Sequence, residues 1–299
     1  MARIEQLKEQ LKNGRDIQSV VKTMKTFASI HIRHYQKASS SLNDYAVMVE
    51  KAFASLLGAV PLSNVSPPKG VAKKGRRAFI VFGSDQGLVG RFNEQTALFT
   101  IEQLGTLKAA PYLLCTMGQR LAQYLEGSGG LTIESRISTP SSAGNALSVL
   151  GELLTIIESW RQEFGVQSLA LIYNQMQTPT SCKPVLLGLL PPDPAWFAGL
   201  TQKGRKPAAP SLVNASAEAL AAALVRHYIF TGLYRAMMES LKCENAVRLA
   251  AMQVAEKHVE EYLDELTLAF NQERQNQITE ELLDIVAGVE ALKNDDSSV

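Results

Sequence analysis

From Ile17 to Phe53 the apolar residues advance by three, four or seven positions, through Ile17, Val21, Met24, Ala28, Ile32, Tyr35, Leu42, Tyr45, Val49 and Phe53. That spacing is one face of an α-helix. It returns at the other end of the chain in Leu249, Met252, Val259, Leu263, Leu266, Phe270, Ile278, Leu282, Ile285, Val289 and Leu292. Proline, which breaks helix interiors, is absent from both flanks, since all 12 prolines fall between Pro61 and Pro210. Glycine is scarce there too, with Gly14 and Gly58 in the first flank and Gly232 and Gly288 in the last. The pattern predicts one helix from about Arg3 to Leu57, roughly 80 Å long, and a second from Ala217 onward exceeding roughly 100 Å. Stripes of this length outrun a compact core, so the two helices are expected to bury them against each other as an antiparallel coiled coil. The spacing is not a strict heptad, and an irregular twist is expected.

Between the flanks the period changes to short apolar runs bounded by turn residues. Ala78–Phe82, Tyr112–Thr116, Leu169–Tyr173 and Val185–Leu190 read as strands, and Asn93–Leu104, Gln119–Glu126 and Asn145–Phe164 as helices. This alternation predicts an inserted, Rossmann-like α/β domain with a largely parallel sheet. Two stretches frame it as linkers, Pro61–Gly75 with Pro67 and Pro68, and Leu200–Pro210 with Lys203, Arg205 and Lys206. The expected division is 1–60 for the first coiled-coil helix, 76–210 for the α/β domain and 217–299 for the last helix.

Composition adds little to this until it is resolved along the chain. At 46% apolar and 20% charged residues over 299 positions, there is ample material for a packed core. A net charge of +1 gives no bulk electrostatic case for nucleic acid or a membrane surface. Lys/Arg and Asp/Glu number 9 and 5 in residues 1–60, 14 and 9 in 61–216, and 7 and 15 in 217–299. Opposite signs on the two ends favour their association, at about 0.5 kcal/mol or less per exposed pair. Cys115, Cys182 and Cys243 show no CxxC spacing, which fits a reducing compartment without a zinc site. No signal-peptide core and no run of about 18 apolar residues is present, and a soluble cytosolic protein is expected.

Candidate chemistry is sparse. Gly83-Ser84-Asp85-Gln86-Gly87-Leu88-Val89-Gly90 lies between a strand and a helix, where phosphate loops sit. Its glycines are spaced four and three rather than as GxGxxG, and a tight turn is the plainer reading. His31 and His34, at i and i+3, lack a third ligand nearby; no GxSxG elbow occurs, and Asn214-Ala215-Ser216 reads as a chance match to a glycosylation acceptor. On the first helix, Arg15, Lys22, Arg33 and Lys37 share a narrow stripe nearly opposite the apolar one, with Lys25 to its side. That stripe is either a solvated face or a surface meeting acidic loops of a surrounding partner.

Three blocks carry a resemblance to a known family. They are Val21-Lys22-Thr23-Met24-Lys25-Thr26-Phe27-Ala28 with Arg33 and Gln36; Gly83 to Gly90 with Asn93; and Arg248 and Met252 through Asn271, Arg274 and Gln275 to Ile278-Thr279-Glu280-Glu281-Leu282-Leu283-Asp284-Ile285-Val286-Ala287-Gly288. In order and spacing they resemble the γ subunit, the rotor shaft, of F-type ATP synthases. The resemblance implies a non-catalytic shaft, without a cofactor, metal or membrane span, inside a ring of α and β subunits. It also implies contacts with the ε subunit and the membrane c-ring, no nucleic acid, and a peripheral place on the cytoplasmic face of the bacterial inner membrane. By position, Lys22, Met24 and Lys25, with Arg33 on the same stripe, would lie near the acidic β-subunit loop. Arg248, Gln275 and Thr279 would meet the catch loops, and Ile285 and Val289 would turn in the apolar collar of the ring. Gly83, Asp85, Gly87, Gly90 and Asn93 would form the turn of the foot domain. Departures at Val89, Arg91-Phe92, Val289 and Pro210–Asn214 suggest a divergent or alternative bacterial type, with proton or sodium coupling left open. A coiled-coil scaffold or a stand-alone α/β enzyme are the competing readings.

Overall fold

The computed structural model describes residues 2–59, 76–106, 111–178, 181–193, 195–196, 199–200 and 216–296, with side chains near the C-terminus described as far as Ala287. The linkers expected over 61–75 and 201–210, the 210–214 segment and the glycosylation match at Asn214 lie outside these residues. In chain order the elements are α1 (Ala2–Ala59), β1 (Arg77–Phe82), α2 (Phe92–Gly105), β2 (Tyr112–Met117), α3 (Gln119–Gly129), β3 (Ser135–Ile137), α4 (Ala146–Phe164), β4 (Ser168–Thr178), β5 (Ser181–Leu190) and α5 (Ala217–Asp296). The chain forms two compact units, one of residues 1–27 with 250–299, the other of residues 28–249.

In the first unit α1 and α5 run antiparallel. Arg3 faces Glu273 at 3.7 Å, Gly14 faces Leu263, and Lys25 is ion-paired with Glu256. A side chain at Gly14 would put its Cβ 2.7 Å from Leu263 Cδ2, so glycine is what lets the helices approach there. On α1 the shielded positions include Ile4, Leu7, Leu11, Gly14, Gln18, Val21 and Lys25, alternating steps of three and four, with Gln10 and Met24 half-buried at the edges. The seam is therefore a regular heptad, which corrects the irregular spacing read from apolar residues alone. Ile17, assigned to the buried stripe, is 53% exposed, and Gly14 and Gln18 hold the seam in its place. On α5 the seam passes through Met252, Glu256, Val259, Leu263, Leu266, Phe270 and Glu273. Its last shielded position is Gln277; Ile278, Leu282 and Ile285, expected to continue the stripe, are exposed.

The second unit wraps a five-stranded sheet, in order β3-β2-β1-β4-β5, with β1 to β4 parallel and β5 antiparallel at the edge. Ala78, Ile80 and Phe82 of β1 point to one face, where α4 contributes Leu150, Leu153, Ile157 and Trp160 and α5 contributes Leu233, Met237 and Leu241. Phe79 and Val81 point to the other, against Ala97 and Leu104 of α2 and Leu121 and Leu125 of α3. This period-two division is what a parallel strand covered on both faces requires. Covered also by α1 residues such as Tyr35, α5 is shielded almost all round between Thr231 and Leu249.

Candidate partner-contact surface

In the first unit, with roughly 100° of turn per residue, the outward side of α1 carries two stripes beside the seam. Arg15 and Lys22, both exposed, lie on one side of it. Ile17, Val20, Met24 and Phe27 lie on the other, at steps of three, four and three; Val20 is 54% and Phe27 58% exposed, and Met24 is half-buried. A helix face that stays apolar after its seam is filled is a surface built to be covered. Sequence reading missed this second stripe because it merged Ile17 and Met24 with the seam. Lys25, grouped with the basic stripe, is turned into the seam, where Glu256 neutralises it. The surplus of acid on the last helix was the signal for such a pairing.

Beyond Gln277, α5 carries Ile278, Leu282, Leu283, Ile285 and Val286 at 45% exposure or more. Gln275, before this stretch, and Thr279, within it, are exposed, with the Thr279 hydroxyl donating to the Gln275 carbonyl at 2.9 Å. Val289 belongs to α5, but its side chain lies outside the described residues.

In the second unit Arg33 is exposed, whereas Arg248 is mostly buried and donates to Glu244 at 2.8 Å. Burial pushes the Glu244 carboxyl up to about 7; Arg248 opposes the shift and Asp85 adds to it. The same pocket holds Tyr35, whose phenol burial and Glu244 raise to about 12, and His31, lowered by burial and by the nearby His34 and Arg248. Tyr35 Oη and His31 Nδ1 lie 3.5 Å apart. Sequence reading took His31 and His34 only as weak metal candidates.

The turn after β1 is a structural node. Asn93 accepts from the Ser84 N–H at 3.0 Å and donates to its hydroxyl at 2.8 Å. Asp85 Oδ1 accepts from the Gln119 N–H at 2.9 Å, and Oδ2 from the Thr139 N–H and hydroxyl at 2.7 and 2.8 Å. The Asp85 carboxylate thus occupies the N-terminus of α3, the place a bound phosphate would otherwise fill. Gly83 lies where a Cβ would meet Leu121 at 2.3 Å, Gly87 lies near Arg120, and Gly90 has φ +52°. One aspartate therefore ties three loops at the carboxyl edge of the sheet, without a phosphate cradle.

A family model described as ATP synthase matches residues 3–292. The ATP synthase gamma chain of Pelotomaculum thermopropionicum is 28% identical over 305 residues, covering 98% of this chain and all of the relative. That of Anaeromyxobacter sp. is 29% identical over 299 residues with the same coverage. Among solved structures, the rotor of the Euglena gracilis mitochondrial ATP synthase is similar with TM-score 0.60 and 13% identity, over 93% of this chain and 99% of the other. A chain of the OSCP/F1/c-ring assembly from the same organism gives TM-score 0.61 and 16% identity over 97% and 95%. These last two likenesses are of fold.

Proposed function

Because the chain belongs to the ATP synthase family along almost its whole length, we propose that it is the central rotor-shaft subunit of a rotary F-type enzyme. The observation that carries this is alignment over 98% of this chain and the full length of relatives named ATP synthase gamma chain. The shaft itself performs no catalysis. Standing inside a ring of α and β subunits, an asymmetric pair of helices touches each catalytic subunit differently, and its angle biases which one is open. Residues 1–60 and 217–299 form the shaft, and 76–210 the foot that meets the ε subunit and the c-ring on the cytoplasmic face of the bacterial inner membrane.

The contacts divide by chemistry. Lys22 and Arg33 offer positive charge to acidic loops of β, and Met24 with Ile17, Val20 and Phe27 offers apolar area on the other side of the seam. Gln275 and Thr279 give polar contacts where α5 emerges alone, and Ile285 with Val289 turns in an apolar collar. Lys25 and Arg248 act from inside, fixing helix register and the Glu244 pocket, with only the edges of their side chains available outside. The Gly83 to Asn93 node keeps the foot rigid under torque.

Co-expression with α and β subunits tests the reading. A complex retaining this chain and hydrolysing ATP supports it, whereas a chain that stays monomeric or self-associates while α and β assemble alone contradicts it.

A further inference from the structure

Cys182 on β5 and Cys243 on α5 meet in a small apolar cluster with Val89, Phe92, Met176 and Val247. Strand pairing brings them there: Cys182 lies opposite Met176 in the β4–β5 ladder, and the Met176 N–H reaches Glu239 of α5, one turn before Cys243, at 3.5 Å. Cys243 is fully buried. Cys182 is half-buried and lines, with Lys183 and Val247, a surface pocket of about 590 Å³. The third thiol, Cys115, is buried on β2 within the sheet, and burial pushes it up to about 12.

We propose that Cys182 and Cys243 form a thiol–disulfide exchange site whose oxidant is a low-molecular-weight disulfide such as glutathione disulfide. The two cysteines differ in the way such a pair needs. The neighbouring Cys243 lowers the Cys182 thiol, whereas the neighbouring Cys182 and burial raise Cys243. Cys182, reached from the pocket, is therefore the thiolate that attacks. Its sulfur bonds to one sulfur of the glutathione disulfide, whose S–S bond breaks to release one glutathione thiolate. Cys243 then yields its proton to that leaving thiolate and attacks the Cys182 sulfur, expelling the second glutathione as a thiolate that takes up the proton Cys182 released to solvent. Two protein thiols are oxidised to one disulfide and one glutathione disulfide is reduced to two thiols. Both cysteines already lie in one cluster, so the disulfide joins neighbours within the folded chain. The product staples the β4–β5 hairpin to α5, so the edge of the sheet can no longer separate from that helix.

The test is thiol counting on the full folded chain, incubated with glutathione disulfide, then denatured and alkylated. The chain has three cysteines; oxidation should leave one alkylated thiol, with a peptide linking Cys182 to Cys243 that dithiothreitol cleaves. Cys243→Ala should stop at a glutathione adduct on Cys182, and Cys182→Ala should leave Cys243 unreacted. Three alkylated thiols after incubation, a linkage between two chains, or equal reaction of Cys243 without Cys182 would overturn the proposal.

Discussion

Arg248 and Glu244, one helical turn apart on α5, form an ion pair through Glu244 Oε1, with 13% and 8% of their side chains exposed. Among the described residues the other oxygen, Oε2, is buried without a partner. Removing Arg248 would strand a buried carboxylate, and Arg248→Met should cost about 3 kcal/mol by chemical denaturation. Glu244→Gln, which leaves no charge behind except the better-solvated arginine, should cost less.

The same pair sets a pH dependence. The folded Glu244 carboxyl titrates near 7 against an unfolded value of 4.5, so the folded state holds its proton more tightly. The stability this gives is complete below about 4.5 and is lost as pH rises through about 7. Denaturation midpoints between these values should fall with pH in the parent chain and fall less steeply in Glu244→Gln; identical slopes would count against the buried acid.

Lys25 and Glu256 make the corresponding pair within the helical seam. With side chains 35% and 16% exposed, it should contribute about 1 kcal/mol, between the surface and buried limits. Lys25→Glu and Glu256→Lys should each destabilise the chain, and the double exchange should recover most of the loss in a double-mutant cycle.

Asp85 should matter for folding rather than for ligand binding. Asp85→Ala removes the acceptor of two backbone N–H groups and one hydroxyl, and should cost about 2 kcal/mol in thermal or chemical unfolding. Calorimetric titration with nucleotides should give the same flat response for both chains.

The exposed end of α5 behaves oppositely. Leu282→Ser with Ile285→Ser removes side chains that touch solvent, at 58% and 67% exposure, and should shift stability by less than about 0.5 kcal/mol. If these residues turn in an apolar collar, the same change should weaken retention in the complex with α and β.

The two long helices and the alternating middle were legible because proline and glycine are confined and the apolar period changes where the fold does. The choice of seam was not, since α1 has two apolar stripes and the eye joins Ile17 and Met24 of one to Val21 and Ala28 of the other. Composition also hides a seam whose positions include Gly14, Gln18 and Lys25, where Gly14 faces Leu263 and Lys25 pairs with Glu256. β3, at three residues, is too short to show a period, and β4 and β5 extend to Thr178 and Ser181 through polar residues that pair only with each other. The Gly83 to Asn93 block stood out in the sequence, but the partners of Asp85, Gln119 and Thr139, lie 34 and 54 residues away. Only the folded sheet brings them together.

The central claim, that this chain is a shaft which turns, is tested most directly by watching it. A probe fixed to an introduced cysteine at the exposed Ser148 of α4, with the chain assembled in an immobilised ring of α and β subunits, should rotate in one direction when ATP is added, pausing at three angles. A probe that stays still while the assembled ring hydrolyses ATP would contradict it.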